Sequence, residues 1–123
     1  MSGMTKILVV DDDPQIRRRI VRILTAAGHE MIEAKDGWEG LRLFRVHQPT
    51  LVITDILMPE KDGLETIRDL RSDASRVAII AMTGNGHNMM FLDIAKKMGA
   101  DVVIAKPFRA PDLVEAVNKL LMP

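Results

Sequence analysis

Short apolar runs alternate with amphipathic segments along the chain, and this alternation constrains the fold more than any other feature of the sequence. Five runs have the length of strands, at residues 6–10, 30–34, 51–54, 77–81 and 102–105. The runs are rich in Val, Ile, Leu and Ala, which is typical of strands buried on both faces of a parallel sheet. Alternation of such strands with helices predicts a sheet with helices on both of its faces.

Helix signals follow each of the strand runs. Asp13 and Pro14 form an N-cap and first-turn pair, and Gly28 and Gly99 are typical helix stops. Apolar residues at helical spacing occupy the segments between the strands (Ile16, Ile20, Ile23 and Leu24; Leu41, Leu43, Phe44 and Val46; Leu64, Ile67 and Leu70; Leu113, Val117, Leu120 and Leu121). With a further helix ending near residue 98, the chain is predicted to be an α/β protein with five helices and a doubly wound, five-stranded parallel sheet.

The composition excludes several classes of protein. Zero cysteines exclude a thiol enzyme and a Cys-ligated zinc site, and they fit a reducing compartment, so we expect a cytoplasmic protein. Seventeen basic and seventeen acidic residues cancel, which argues against direct nucleic-acid binding. No apolar run approaches the ~20 residues that span a bilayer, so we expect no membrane association.

The length of 123 residues suits one domain, and no linker or internal repeat divides the chain. The predicted domain covers residues 5–123. Residues 1–4 are interpreted as an N-terminal extension, in which Ser2 and Gly3 resemble a cloning remnant and Met4 is a plausible native start. The sequence leaves open whether the chain is a complete protein or part of a longer one.

Polar residues of particular types follow four of the five predicted strands. Asp11 and Asp12 follow the first strand, Asp55 the third, Thr83 the fourth and Lys106 the fifth. Each motif alone has an ordinary structural explanation, such as a helix cap or a turn. Ligands of open parallel sheets bind at the carboxyl ends of the strands. The placement of all these polar residues at strand ends therefore predicts one functional site.

The residue types at this rim favour phosphoryl chemistry. Carboxylates held close together repel unless a cation compensates them, and an oxygen-only ligand set is typical of Mg²⁺. A carboxylate such as Asp55 is able to act as a nucleophile and form an acyl phosphate. The Lys106 ammonium and the Thr83 hydroxyl would then contact the phosphoryl oxygens.

These residues resemble the receiver domain of two-component response regulators. The resemblance extends over about residues 5–121 and is carried by the stretches at 7–14, 55–59, 62–63, 82–84 and 105–108. It implies a flavodoxin-like fold with strand order 2-1-3-4-5. It also implies a cis peptide bond between Lys106 and Pro107, which fits the general restriction of cis bonds to proline.

The resemblance assigns roles to the rim residues. Asp55 is implied to be the phosphoacceptor and a metal ligand. Asp12 is implied to bind Mg²⁺ (or Mn²⁺) directly, Asp11 to bind it through water, and the backbone carbonyl of Leu57 to complete the metal site. The implied partners are a histidine kinase or a histidine phosphotransfer protein, together with an output target that the sequence does not specify.

The sequence departs from the family pattern at one of the residues implied to change position on phosphorylation. Thr83 is implied to be the switch hydroxyl and Lys106 the lysine that contacts the phosphoryl group. An aromatic residue is usual three positions before that lysine, and here the position is Val103. Valine has no ring to bury, so we expect aromatic gating to be absent and phosphorylation to be unaffected.

The expected activity is signalling rather than enzymatic turnover. It includes Mg²⁺-dependent self-phosphorylation from small phosphodonors and slow loss of the phosphoryl group. A phosphatase with Asp55 as nucleophile is the alternative, but it would need a second acid two residues later, where the chain has Leu57. A binding module that ignores phosphate is disfavoured, because every chemical residue is present.

Four arginines, Arg17, Arg18, Arg19 and Arg22, form a basic cluster on the first predicted helix. A solvated helix face is the favoured interpretation of this cluster. A partner-docking surface near the acidic rim is the alternative.

Overall fold

The computed structural model describes residues 5–56, 63–73, 76–84 and 89–122. The predicted N-terminal extension at 1–4 and the predicted metal ligand Leu57 lie outside these ranges. In the described residues, strands and helices alternate without exception. The strands are β1 (Lys6–Val10), β2 (Glu30–Ala34), β3 (Leu51–Asp55), β4 (Ala78–Thr83) and β5 (Val102–Ala105). The helices are α1 (Pro14–Ala26), α2 (Gly37–His47), α3 (Gly63–Asp73), α4 (Met89–Met98) and α5 (Ala110–Leu121).

The five strands form one parallel sheet in the order β2-β1-β3-β4-β5, which confirms the predicted fold class and strand order. The reversal of strand order lies between β1 and β3, which are direct neighbours in the sheet. The helices that follow these two strands, α1 and α3, lie on opposite faces of the sheet, and the crevice at such a reversal is the usual ligand site of these folds. Within the described residues, no helix is both long and apolar enough to cross a membrane.

Two aliphatic cores cover the two faces of the sheet, because alternate residues of each strand point to opposite sides. Ile7 and Val9 of β1 pack with α1 and α5, against residues such as Leu24. Leu8 and Val10 pack on the other face with α2, α3 and α4. The central strands are buried on both faces, which explains their continuous apolar sequences.

Two strands end later than predicted, and both differences matter for the site. β3 extends to Asp55 and β4 to Thr83, whereas the sequence predicts ends at residues 54 and 81. The reason is pairing: Asp55 is in register with Met82, and Thr83 with Ala105. The two polar residues are therefore held by the sheet ladder rather than by loops.

Candidate functional site

Three carboxylates converge at the carboxyl ends of β1 and β3. Oxygen atoms of Asp11, Asp12 and Asp55 all lie within 4.8 Å of one another. Asp11 and Asp55 are buried, whereas Asp12 is exposed. The structure thus brings together the three side chains that the sequence predicts as metal ligands, while the position of Leu57 is not described.

The third aspartate of the β1–α1 connection has a different task. Asp13 is the N-cap of α1, and its Oδ1 accepts a hydrogen bond from the backbone N–H of Gln15 at 2.9 Å. This bond satisfies one of the donors left unpaired at a helix start. The Asp13 N–H in turn donates to Oδ1 of Asp11 at 2.9 Å, so the cap also orients the buried carboxylate.

Lys106 provides the positive charge of the site. Its Nζ donates to Oδ2 of Asp11 at 2.9 Å and lies 3.2 Å from Oδ1 of Asp55. Burial disfavours the ammonium, but the hydrogen bond to Asp11 and the charge of Asp55 outweigh it, and the pKa of Lys106 is raised. The Lys106–Pro107 peptide bond is cis, as predicted.

Asp55 carries an unsatisfied oxygen. Its Oδ1 is buried and has no well-aligned hydrogen-bond donor among the described residues, because the contact with Lys106 is close but poorly directed. Burial raises the pKa of Asp55 from 3.8 to about 6; Lys106 opposes this rise, and Asp11 and Asp12 add to it. The carboxylate is therefore short of compensating positive charge.

A hard divalent cation fits this arrangement. The candidate metal ligands are all carboxylate oxygens. Two of the three aspartates are buried, and Oδ1 of Asp55 accepts no hydrogen bond from the described residues. Oxygen ligands of this kind suit Mg²⁺ or Mn²⁺. The Lys106 ammonium alone does not neutralise three carboxylates. A cation would offset both the burial of Asp55, which is the main cause of its raised pKa, and the repulsion from Asp11 and Asp12.

The two predicted switch residues, Thr83 and Val103, lie on β4 and β5. Thr83 is buried at the end of β4, one residue beyond the partner of Asp55, and its carbonyl accepts the Lys106 N–H at 2.8 Å. Val103 is partly buried and packs against the core on the α2–α3 side of the sheet. Thr83 pairs with Ala105, the residue before Lys106, and Val103 lies on the same strand as Ala105. Both predicted switch residues are therefore connected to Lys106 through β5.

Gly63 makes a contact that sequence analysis did not anticipate. Its N–H donates to the carbonyl of Ile56 at 2.7 Å, where α3 starts against the end of β3. A Cβ at this position would overlap the carbonyl oxygen of Asp55 and lie 2.6 Å from Cα of Ile56. Only glycine permits this approach, which fixes the backbone that carries Asp55.

The arginine cluster on α1 is only partly a solvated face. Arg18 and Arg22 are exposed, but Arg17 donates to the carbonyl of Asp11 and to Glu33. Arg19 donates to the carbonyl of Phe108, and its guanidinium lies 4.6 Å from the centre of that ring. The favoured interpretation therefore fails for Arg17, which is only 16% exposed, and holds for Arg19, which is exposed although it contacts Phe108. The position of Arg17 three and seven residues before the buried Ile20 and Leu24 was the available signal.

Comparison with known proteins agrees with this geometry. The profile of the response regulator receiver domain matches residues 7–118. The chain belongs to the response regulator receiver family. It is a receiver domain of two-component signalling, a family whose members interact with histidine kinases. The predicted resemblance is confirmed.

The receiver domain is similar both to single-domain proteins and to parts of longer ones. It is 37% identical to the chemotaxis protein CheY of Bacillus subtilis, over 94% of this chain and 97% of that protein. It is also 37% identical to the probable transcriptional regulator ycf27 of Cyanophora paradoxa, but covers only 48% of it. A receiver domain structure from Clostridium thermocellum matches with a TM-score of 0.90 and 34% identity, over 96% of this chain and 94% of that one.

The raised pKa of Asp55 predicts a pH-dependent stability. Protonated Asp55 favours the folded state, so its contribution is complete below pH 3.8 and is lost as the pH rises through about 6. Asp55→Asn removes this titration. Without divalent ions, we expect the variant to be more stable than wild type by about 1–2 kcal/mol at neutral pH, after allowance for solvent screening.

Urea unfolding of both proteins across pH 4–8, with a chelator present, measures this difference. It should shrink as the pH falls toward 4. A difference that stays constant or grows on acidification would show that Asp55 is not destabilised by its surroundings.

Proposed function

We propose that this receiver domain accepts a phosphoryl group on Asp55 from a histidine kinase or a histidine phosphotransfer protein, and that the modification changes which partners it binds. The observation that carries the proposal is the buried Oδ1 of Asp55, which forms an ion pair with Lys106 but accepts no well-directed hydrogen bond from the described residues and lies beside two further carboxylates. An ordinary structural ion pair would leave no buried acceptor unsatisfied.

In the proposed reaction, an oxygen of Asp55 attacks the phosphorus of a phosphohistidine. The new P–O bond forms as the P–N bond breaks, and the imidazole leaves with the electron pair of that bond and takes up a proton. The Lys106 ammonium, already 3.2 Å from Oδ1 of Asp55, stabilises charge on a phosphoryl oxygen. The same geometry serves a small acyl phosphate as donor.

Asp11, Asp12 and Asp55, with the backbone carbonyl of Leu57, are proposed to hold Mg²⁺ or Mn²⁺. The bound ion supplies positive charge that offsets the charge of the phosphoryl oxygens. Asp11 has a second task, because its Oδ2 holds Lys106 in place through a 2.9 Å hydrogen bond. Slow loss of the phosphoryl group by hydrolysis resets the domain.

The proposed switch uses Thr83. Its hydroxyl would donate to a phosphoryl oxygen and draw the end of β4 toward Asp55, which changes the surface that β4 and β5 support. Val103 has no ring to fill the vacated space, so the change is proposed to proceed without aromatic gating. The domain is proposed to span residues 5–123 and to act in the cytoplasm, on an output target that neither the sequence nor the fold specifies.

Chelation of divalent ions is expected to abolish labelling by a small phosphodonor. Wild-type protein incubated with acetyl phosphate and Mg²⁺ should gain the mass of one phosphoryl group, and excess EDTA should remove that gain. Intact-mass spectrometry measures both. Equal labelling with and without EDTA would contradict the metal site, and absence of labelling in Mg²⁺ would contradict phosphoacceptance. Repeated release of phosphate from acetyl phosphate, with no accumulation of phosphorylated protein, would instead support a phosphatase.

A further inference from the structure

Arg17 contacts the backbone that joins Asp11 and Asp12. Its Nη1 donates to the main-chain carbonyl of Asp11 at 2.7 Å, and its Nε donates to Oε1 of Glu33 at 3.0 Å. The side chain is only 16% exposed, although Arg18 and Arg22 of the same helix are exposed. Burying an arginine costs free energy unless its N–H donors form hydrogen bonds. Here the guanidinium bonds both the residue after β1 and Glu33 of β2.

The carbonyl that Arg17 contacts belongs to the peptide group between Asp11 and Asp12. On its other side, the Asp11 N–H donates to the carbonyl of Ala34 at 3.1 Å. The backbone of Asp11 is therefore held from β2 through its N–H and from α1 through its carbonyl. Rotation of this peptide would change the directions in which both carboxylates leave the chain.

We propose that Arg17 is a positioning residue for divalent-cation binding: it orients the Asp11–Asp12 peptide so that both carboxylates face Asp55. This inference rests on the metal site proposed above. Arg17 would not touch the cation, and its role would be exerted through the backbone of the ligands. Groups that orient metal ligands typically change affinity by 10- to 100-fold when removed.

Charge and position make opposite predictions for Arg17. Arg17→Ala removes a positive charge close to the acidic site, and electrostatics alone would therefore make cation binding tighter. Loss of the hydrogen bond to Asp11 would make it weaker. Arg18 is an exposed neighbour on the same helix, so Arg18→Ala removes the same charge without the backbone contact.

Titration calorimetry with Mg²⁺, and electron paramagnetic resonance of free Mn²⁺, measure cation affinity without any phosphorylation step. We expect Arg17→Ala to bind both ions about tenfold more weakly than wild type. Arg17→Lys retains the positive charge but not the planar pair of N–H donors, so its cation affinity should lie between those of wild type and Arg17→Ala. Glu33→Gln, which loosens the guanidinium without removing it, should show a smaller loss. Arg18→Ala should stay within about twofold of wild type, because it is solvent-exposed.

Urea unfolding of each apo protein separates positioning from general destabilisation. A tenfold loss of affinity in Arg17→Ala, measured where the apo protein is fully folded, supports the inference. Equal or tighter binding by Arg17→Ala overturns it and leaves the metal site standing. Failure of wild type to bind either ion overturns the metal site itself, and the role of Arg17 with it.

Discussion

Replacement of Asp55 by asparagine is expected to abolish acyl-phosphate formation, the largest effect of any single substitution in this domain. The side chain is almost isosteric, and the site around it is buried and held by the sheet, with β3 pairing β4 up to this residue. An amide has no anionic oxygen to attack phosphorus. Removal of a covalent nucleophile typically costs several orders of magnitude in rate, so we expect a loss of at least about a thousandfold.

Intact-mass measurement with acetyl phosphate and Mg²⁺ tests this expectation. Asp112→Asn is the matched control, because Asp112 is an exposed aspartate in the first turn of α5 and does not belong to the cluster of Asp11, Asp12 and Asp55. The control should label like wild type. Labelling of Asp55→Asn at the wild-type rate would refute the assignment. Peptide mapping would then show whether Asp11 or Asp12 accepts the phosphoryl group.

Loss of labelling in Asp55→Asn will not reflect unfolding if the electrostatic argument is right. Burial and neighbouring carboxylates raise the pKa of Asp55 to about 6, so its ionised form destabilises the folded state. The variant should therefore be inactive yet more stable at neutral pH. Opposite changes in activity and stability are typical of functional groups that are poorly compensated by their surroundings.

The fold was predictable because the local signals agree with one another. Buried parallel strands require continuous apolar runs, and each such run in the sequence became a strand of the sheet. The convergence of Asp11, Asp55 and Lys106 followed from the same logic, since carboxyl ends of parallel strands share one edge. Their ion-pair distances of about 3 Å are an outcome of packing, which no spacing rule supplies.

Other features of the site depend on contacts between segments that are distant in the sequence. The exact ends of β3 and β4 were missed, because ladder pairing carries both strands past their apolar runs. The helical pattern predicts that Arg17 is exposed like Arg18. Whether its side chain points to solvent or bonds the carbonyl of Asp11 depends on tertiary structure, which the pattern does not contain. Gly63 belongs to the same class, since only the assembled fold reveals how closely α3 approaches the backbone of β3.

That close approach leads to the second large effect, which concerns stability as well as labelling. In Gly63→Ala the new methyl group would overlap the carbonyl of Asp55, and its neighbours are backbone atoms that cannot rotate away. The start of α3 must then move, and the 2.7 Å hydrogen bond from Gly63 N–H to Ile56 is stretched or lost. We expect a loss of about 2–4 kcal/mol in the free energy of unfolding.

Gly84→Ala is the matched control for this substitution, because a Cβ at Gly84 meets no atom of the described residues within 4 Å. It should leave stability unchanged or raise it by about 0.5 kcal/mol, through a less flexible unfolded chain. Urea unfolding at one pH compares the two variants. Equal stability of Gly63→Ala and Gly84→Ala would show that the end of β3 can move at little cost.

The labelling rate of Gly63→Ala is informative where the variant remains folded. Asp55 depends on backbone placement, since its carboxylate must reach both the phosphorus and Lys106, and a displacement of about 1 Å can cost on the order of a hundredfold in rate. We therefore expect slow labelling even in the folded fraction. A folded Gly63→Ala that labels at the wild-type rate would mean that the side chain of Asp55 adjusts freely. The rigid contact between α3 and β3 would then serve stability alone.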